Sequence, residues 1–229
     1  NNNRSSRTYI PPLMATAAVH HKLIELGLRT RASIIVTTGQ AWNTHHISCL
    51  VGYGASAIIP YAAYDTVINW HGQKRIQNAM ESGKMTQLSA NEALANYRKA
   101  LDKGVLKILS KMGISLLSSY QGAQIFESLG INDDVLAKAF KGTASRVSGM
   151  TFDDIAAEVA DFSRRAYGDA IFEGIVQKVE EGDVRRKRLF NYGFMNFFKT
   201  AEYHHNNQPM IKGLLKSIRE KNSDLYKVY

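Results

Sequence analysis

The chain has 229 residues, of which 45% are hydrophobic and 21% charged, with a formal net charge of +9 and a pI of about 9.6. That composition fits a soluble globular protein with a sizeable core and excludes a disordered or fibrous chain, while no apolar run approaches the ~20 residues a membrane-spanning helix needs. Cys49, the single cysteine, rules out a disulfide within the chain and an iron–sulfur cluster, which takes several thiolates.

The leader NNNRSSRTY has no hydrophobic stretch of the secretory kind and no initiator methionine, which fits an internal piece of a longer chain. After Pro11 and Pro12, apolar residues recur at helical spacing from Leu13 to Leu26, and Gly27 offers a left-handed stop. Ser33–Thr37 (SIIVT) reads as a short buried strand. Thr44 reads as the cap of a helix over about His45–Tyr53, ended by Gly54, and Ala57–Pro60 (AIIP) reads as the next strand. Strand, loop, helix, strand is the βαβ unit of a parallel sheet.

Ala62–Met80 reads as helix, 81–90 as a polar break, and Asn91–Met112 as one long helix or two, stopped by Gly113. Ile114–Ser118 is expected to be a third strand and Gln121–Leu129 a helix. Further on, Asp133–Phe140 reads as a short helix and 142–150 as a loop or irregular strand. Phe152–Tyr167 is an amphipathic helix capped by Thr151. Ile171–Glu181 reads as helix, 185–210 as basic, aromatic and irregular, and Met210–Glu220 as a last helix. The fold class expected is α/β, built of parallel βα units in an open sheet or a partial TIM-barrel-like arrangement, with a more helical C-terminal part.

Chemistry is sparse in this pattern. Six of the seven histidines form adjacent pairs, His20-His21, His45-His46 and His204-His205. Neighbours on a helix point about 100° apart, so a pair does not clamp one metal; one ring is expected to pack inward, hydrogen-bonded to backbone, while the other faces a cleft or solvent. Cys49 lies in an apolar stretch and reads as a small core hydrophobe. Asp153 and Asp154 sit at a helix start and read as capping groups. Lys111, flanked by apolar residues just before a strand, reads as a snorkelling side chain, with anion binding as the functional alternative. No dinucleotide fingerprint, Walker loop or nucleophile elbow is present. The run Arg185-Arg186-Lys187-Arg188 precedes Phe190, Tyr192, Phe194, Phe197 and Phe198. That pairing of charge with rings raises single-stranded nucleic acid as a rival partner, though no nucleic-acid-binding signature accompanies it and a solvated turn or docking surface accounts for it.

Long segments carry a specific resemblance. AAVHHKLIELGLRTR, THHISCLVGYGASAIIPY, NYRKALDKGVLKILSKMGIS, SYQGAQIFESLG and GTASRVSGMTFDDIAAEV resemble the central domain of the glutamate synthase large chain, and AEYHHNNQPM resembles the segment leading toward its flavin domain. The wording of AWNTHHISCLVGYGASAI and SKMGISLLSSYQGAQIFE is more similar to the ferredoxin-dependent branch than to the pyridine-nucleotide branch.

The resemblance implies residues 1–190 as the truncated central domain and 191–229 as a link toward the FMN domain. It implies an oxidoreductase that makes two glutamates from glutamine and 2-oxoglutarate with electrons from reduced ferredoxin, in a plastid or cyanobacterial setting. FMN and a 3Fe-4S cluster belong to other parts of such an enzyme. No catalytic, cofactor or metal residue carries over to this chain, whose implied partners are the other domains of the same polypeptide, with no nucleic acid and no membrane. Thr44, His45, His46, Lys111 and Ser115, polar groups at strand–helix junctions, are expected to face neighbouring domains or the ammonia path. The rivals are a free-standing nucleic-acid module and an independent flavin-binding barrel.

Overall fold

A computed structural model describes residues 8–167 and 207–227. The chain divides into two units, Asn1–Phe172 and Glu173–Tyr229. In the first, α1 (Pro12–Glu25) begins with Pro12, whose missing N–H costs nothing at a helix start and whose ring presets φ. Gly27 turns left-handed at φ +68, and the Leu28 N–H closes the helix by donating to Leu23 O at 2.8 Å. A 3₁₀ turn, Arg29–Arg31, leads to β1 (Ile35–Thr37), α2 (Thr44–Gly52) and β2 (Ala57–Ile59). β1 and β2 pair in parallel, Ile35 opposite Ala57 and Thr37 opposite Ile59, so the βαβ unit read from the sequence is present. The cap of α2, however, is Asn43, whose side chain accepts from the His46 N–H at 2.9 Å; Thr44 is the first helical residue.

The helix expected over 62–80 is two helices, α3 (Tyr61–His71) and α4 (Lys74–Glu81), divided at Gly72-Gln73. α5 (Ala90–Met112) is a single helix started by a reciprocal Ser89–Glu92 capping box and stopped by Gly113 at φ +69. The strand expected at 114–118 does not form. Residues 114–116 have no regular structure, Leu116 is extended, and α6 (Leu117–Tyr120) follows. The helix expected at 121–129 does not form either. Its last three residues open β3 (Glu127–Ile131), which pairs in parallel with β4 (Ala144–Met150) across α7 (Asp133–Ala139), with two register irregularities. A strand takes its ladder from a partner that is distant in sequence, and the local apolar run does not name that partner. α8 (Phe152–Tyr167) begins at Thr151, whose Oγ1 accepts from the Asp154 N–H while the Asp154 carboxylate accepts from the Thr151 N–H. Among the described residues the strands form two separate two-stranded parallel sheets.

Two apolar clusters hold this unit. Val36, Ala41, Leu50 and Ala55 are buried around the β1–α2–β2 unit, and Val51, Leu109 and Tyr120 join α2 to α5 and α6. Ile47 and Ile58 pack against both. Burying side chains such as Leu50, Val51 and Leu109 stabilises by about 1.5–3 kcal/mol each. In the second unit, α9 (Gln208–Arg219) is capped by Asn207 and α10 (Ser223–Tyr226) by Asn222. The sequence readings over 168–206, including the helix at 171–181, the basic run at 185–188, its aromatic cluster and His204-His205, lie outside the described residues.

Candidate functional site

Two of the long motifs meet. Gly52 O accepts from the Gly122 N–H at 2.8 Å, and Gln121 Nε2 donates to Ala55 O at 2.7 Å. A Cβ on Gly52 would overlap the Phe126 ring, whose plane stacks on Tyr53 with centroids 5.5 Å apart. Gly54, at φ +106, faces His20 so closely that a Cβ would lie 2.7 Å from its Cγ. The GYG glycines therefore serve close packing and leave no open phosphate cradle.

His20 is only 8% exposed. Its Nδ1 accepts from Arg29 Nε at 2.9 Å, which puts the ring proton on Nε2, and Arg29 Nη2 donates to Gly54 O at 2.9 Å. Burial, then the Arg29 charge, then His21 hold the His20 pKa below its ordinary 6.5. One ring of this pair does pack inward, as expected, but its partner is a guanidinium where backbone was expected. The sequence signal for this contact is slight: an arginine nine residues along and a glycine that no helix or strand rule places.

At the start of α2, Thr44 packs against Gly104 of α5, the one residue type that admits it there, because a Cβ would stand 2.6 Å from Thr44 Cγ2. His45 is exposed, with Nε2 3.6 Å from the Cys49 sulfur one turn on. His46 is half-buried; its Nδ1 accepts from the Trp42 N–H at 3.4 Å and its ring lies 5.5 Å from Trp42. Burial and then His45 lower the His46 pKa, and burial raises that of the Cys49 thiol. His45, His46 and Cys49 border a cavity of about 240 Å³ together with Pro11, Gln40 and Leu50. Burial that raises the thiol pKa keeps the thiolate scarce, and an activated nucleophile needs thiolate character. Among the described residues no three His, Cys, Asp or Glu side chains come together as a metal site.

Lys111 and Ser115 are exposed, Lys111 in the last turn of α5 and Ser115 just beyond it. Thr44 meets α5 at Gly104, whereas Val51 meets it at Leu109, so the two helices run side by side in the same sense. Lys111 and Ser115 therefore lie near the end of α2, roughly 10 Å along it from Thr44. The structure gathers Thr44, His45 and His46 at one end of this pair and leaves Lys111 and Ser115 at the other.

Residues 1–132 match the glutamate synthase central domain family. The chain is 46% identical over 224 residues to a ferredoxin-dependent glutamate synthase of Cyanidium caldarium, a match covering 98% of this chain and 14% of that protein. It is 46% identical over 213 residues to ferredoxin-dependent glutamate synthase 2 of Synechocystis, covering 93% of this chain and 13% of that one. With the chloroplastic ferredoxin-dependent glutamate synthase 2 of Arabidopsis thaliana the identity is 45% over 228 residues, covering 100% and 13%.

The chain belongs to the glutamate synthase central domain family. It spans about one seventh of the length of these relatives. Within a central domain of this kind the close approaches at Gly52, Gly54 and Gly104 are structural contacts between motifs. The residues present do not fit the groups the resemblance attached to the larger enzyme. One partly buried thiol does not hold a 3Fe-4S cluster, and at Gly39, in the loop after β1 where a flavin phosphate would be sought, a Cβ would stand 3.1 Å from the Tyr61 hydroxyl. No helix among the described residues is long and apolar enough to cross a membrane.

Proposed function

We infer that this chain is the central, non-catalytic part of a ferredoxin-dependent glutamate synthase. The parent enzyme converts glutamine and 2-oxoglutarate to two glutamates with reduced ferredoxin, and FMN and a 3Fe-4S cluster reside in its other domains. The setting is a plastid stroma or a cyanobacterial cytoplasm. Residues 1–190 form the central domain and 191–229 the link toward the FMN domain. The observation that carries this reading is identity of 45–46% along nearly the whole chain to about one seventh of proteins of that name.

The role that follows is mechanical: to hold an ammonia-releasing domain and an ammonia-using domain in register. In this reading Thr44, His45 and His46 at one end of the α2–α5 pair, and Lys111 and Ser115 at the other, face neighbouring domains. An immunoblot of the native source with an antibody against this segment tests the reading. A band far above 25.6 kDa is expected, and a band at 25.6 kDa overturns it. Alanine at each of the five positions in the parent enzyme should let glutaminase turnover run ahead of glutamate formation; unchanged coupling removes them from the interface.

A further inference from the structure

Among the described residues no further strand pairs with the outer edge of β2. In a parallel ladder a strand gives alternate residues to each neighbour. β2 gives Ala57 and Ile59 to β1: the Ala57 N–H donates to Ile34 O at 3.3 Å, and Ile59 O accepts from the Thr38 N–H at 3.1 Å. That geometry turns the N–H and C=O of Ile58 to the outer edge, where neither finds a hydrogen-bond partner among the described residues.

This edge opens onto a groove of about 860 Å³ whose lining includes Ala57, Ile58, Val105, Leu106, Ser115 and Leu117. Leu106 is 62% exposed and Leu117 43%, so the groove carries bare apolar surface. The N–H and C=O of Ser115 also lack a partner among the described residues, and Leu116 beside it is extended at φ −118, ψ 123. Unpaired main-chain groups on two segments, with apolar side chains between them, complement an extended apolar strand better than they complement a helix, which brings no free backbone groups of its own. A two-stranded sheet is also marginal unless more strands or a covering layer complete it.

We propose that an extended apolar segment from the rest of the parent polypeptide fills this groove and adds to β2 as the third strand of the sheet. The proposal rests on the reading of the chain as one domain of a larger synthase. The relatives carry most of their length outside the matched region, within the same polypeptide. A tethered segment docks intramolecularly and so outcompetes free partners through effective concentration. The occupant thus supplies what the groove lacks, backbone donors and acceptors for Ile58 together with apolar cover for Leu106 and Leu117.

Residue-resolved hydrogen exchange in the intact parent enzyme tests this, with Ile59 as the internal control because its N–H belongs to the β1 ladder. The Ile58 amide is expected to exchange at least about 100-fold more slowly than an unprotected amide. Leu106→Asp should return Ile58 toward the unprotected rate while Ile59 stays slow. A photocrosslinker in place of Leu106 should then form its adduct within the same polypeptide. Free exchange at Ile58 in an enzyme of full mass overturns the inference and leaves the domain reading standing. An adduct between two chains overturns it in favour of a second copy. A native mass of 25.6 kDa would overturn the domain reading itself.

Discussion

Arg29 Nε donates to His20 Nδ1 at 2.9 Å, and the other end of the same guanidinium donates to Gly54 O, so one arginine ties the end of α1 to the turn after α2. The contact requires a neutral His20. Protonation would remove the acceptor and set two cations side by side in a buried place.

A pH dependence follows. The folded pKa of His20 is lowered, first by burial, so its contribution to stability is complete above about pH 6.5 and is lost as pH falls through the lower folded value. His46 shifts in the same direction and adds to the slope. The urea midpoint should fall between pH 7 and pH 5. In His20→Asn, which keeps an acceptor but does not titrate, the profile should be flatter; an identical profile would show that His20 is not the titrating group.

Arg29→Met should destabilise where His20 is neutral. It leaves both His20 Nδ1 and Gly54 O without this donor, and a buried acceptor left unpaired costs about 1–3 kcal/mol. Equilibrium unfolding at pH 8 measures it, where the titration of His20 plays no part.

Gly104→Ala should push α5 off the start of α2. The new methyl would overlap the Thr44 side chain, and overpacking of this kind costs about 1–3 kcal/mol. Thr44→Ala in the same chain should restore part of the loss, since it removes the two nearest atoms. A full cycle of the two substitutions and their double variant gives the coupling, and strict additivity would contradict the contact.

Asn43→Ala should cost about 1 kcal/mol through loss of the α2 cap, and Asn43→Asp should be nearly neutral. Thermal or urea unfolding of the pair separates this effect from a general sensitivity of the loop.

Cys49 should react slowly with iodoacetamide at pH 8, more slowly than a free small-molecule thiol, because burial raises its pKa and keeps the thiolate scarce. The rate should rise on unfolding in urea. Fast native labelling would mean that His45, 3.6 Å away, activates the sulfur after all.

Much of the helical framework was legible because its signals are local. Thr151 with Asp154 starts α8, and apolar spacing carries the helix to Tyr167. Gly27 and Gly113 stop α1 and α5 because each sits at positive φ. The parallel pairing of β1 and β2 was legible too, since a nine-residue helix between two apolar runs leaves little else. Family membership was readable in the same way, from long uninterrupted motifs.

The tertiary structure alone decided what needed a partner distant in sequence. The run at 114–118 has strand composition but joins no sheet among the described residues, whereas Glu127–Leu129, read as the end of a helix, becomes part of β3 because β4 is there to receive it. The same holds for the site. Thr44, His45 and His46 are neighbours in the chain, but only the packing of α5 on α2 at Gly104 and Leu109 set Lys111 and Ser115 toward the other end of that helix pair. Sequence determines elements through short-range sterics, caps and periodicity. Strand pairing and burial depend on which distant side chains and backbone groups come into reach, and those meet only in the folded chain.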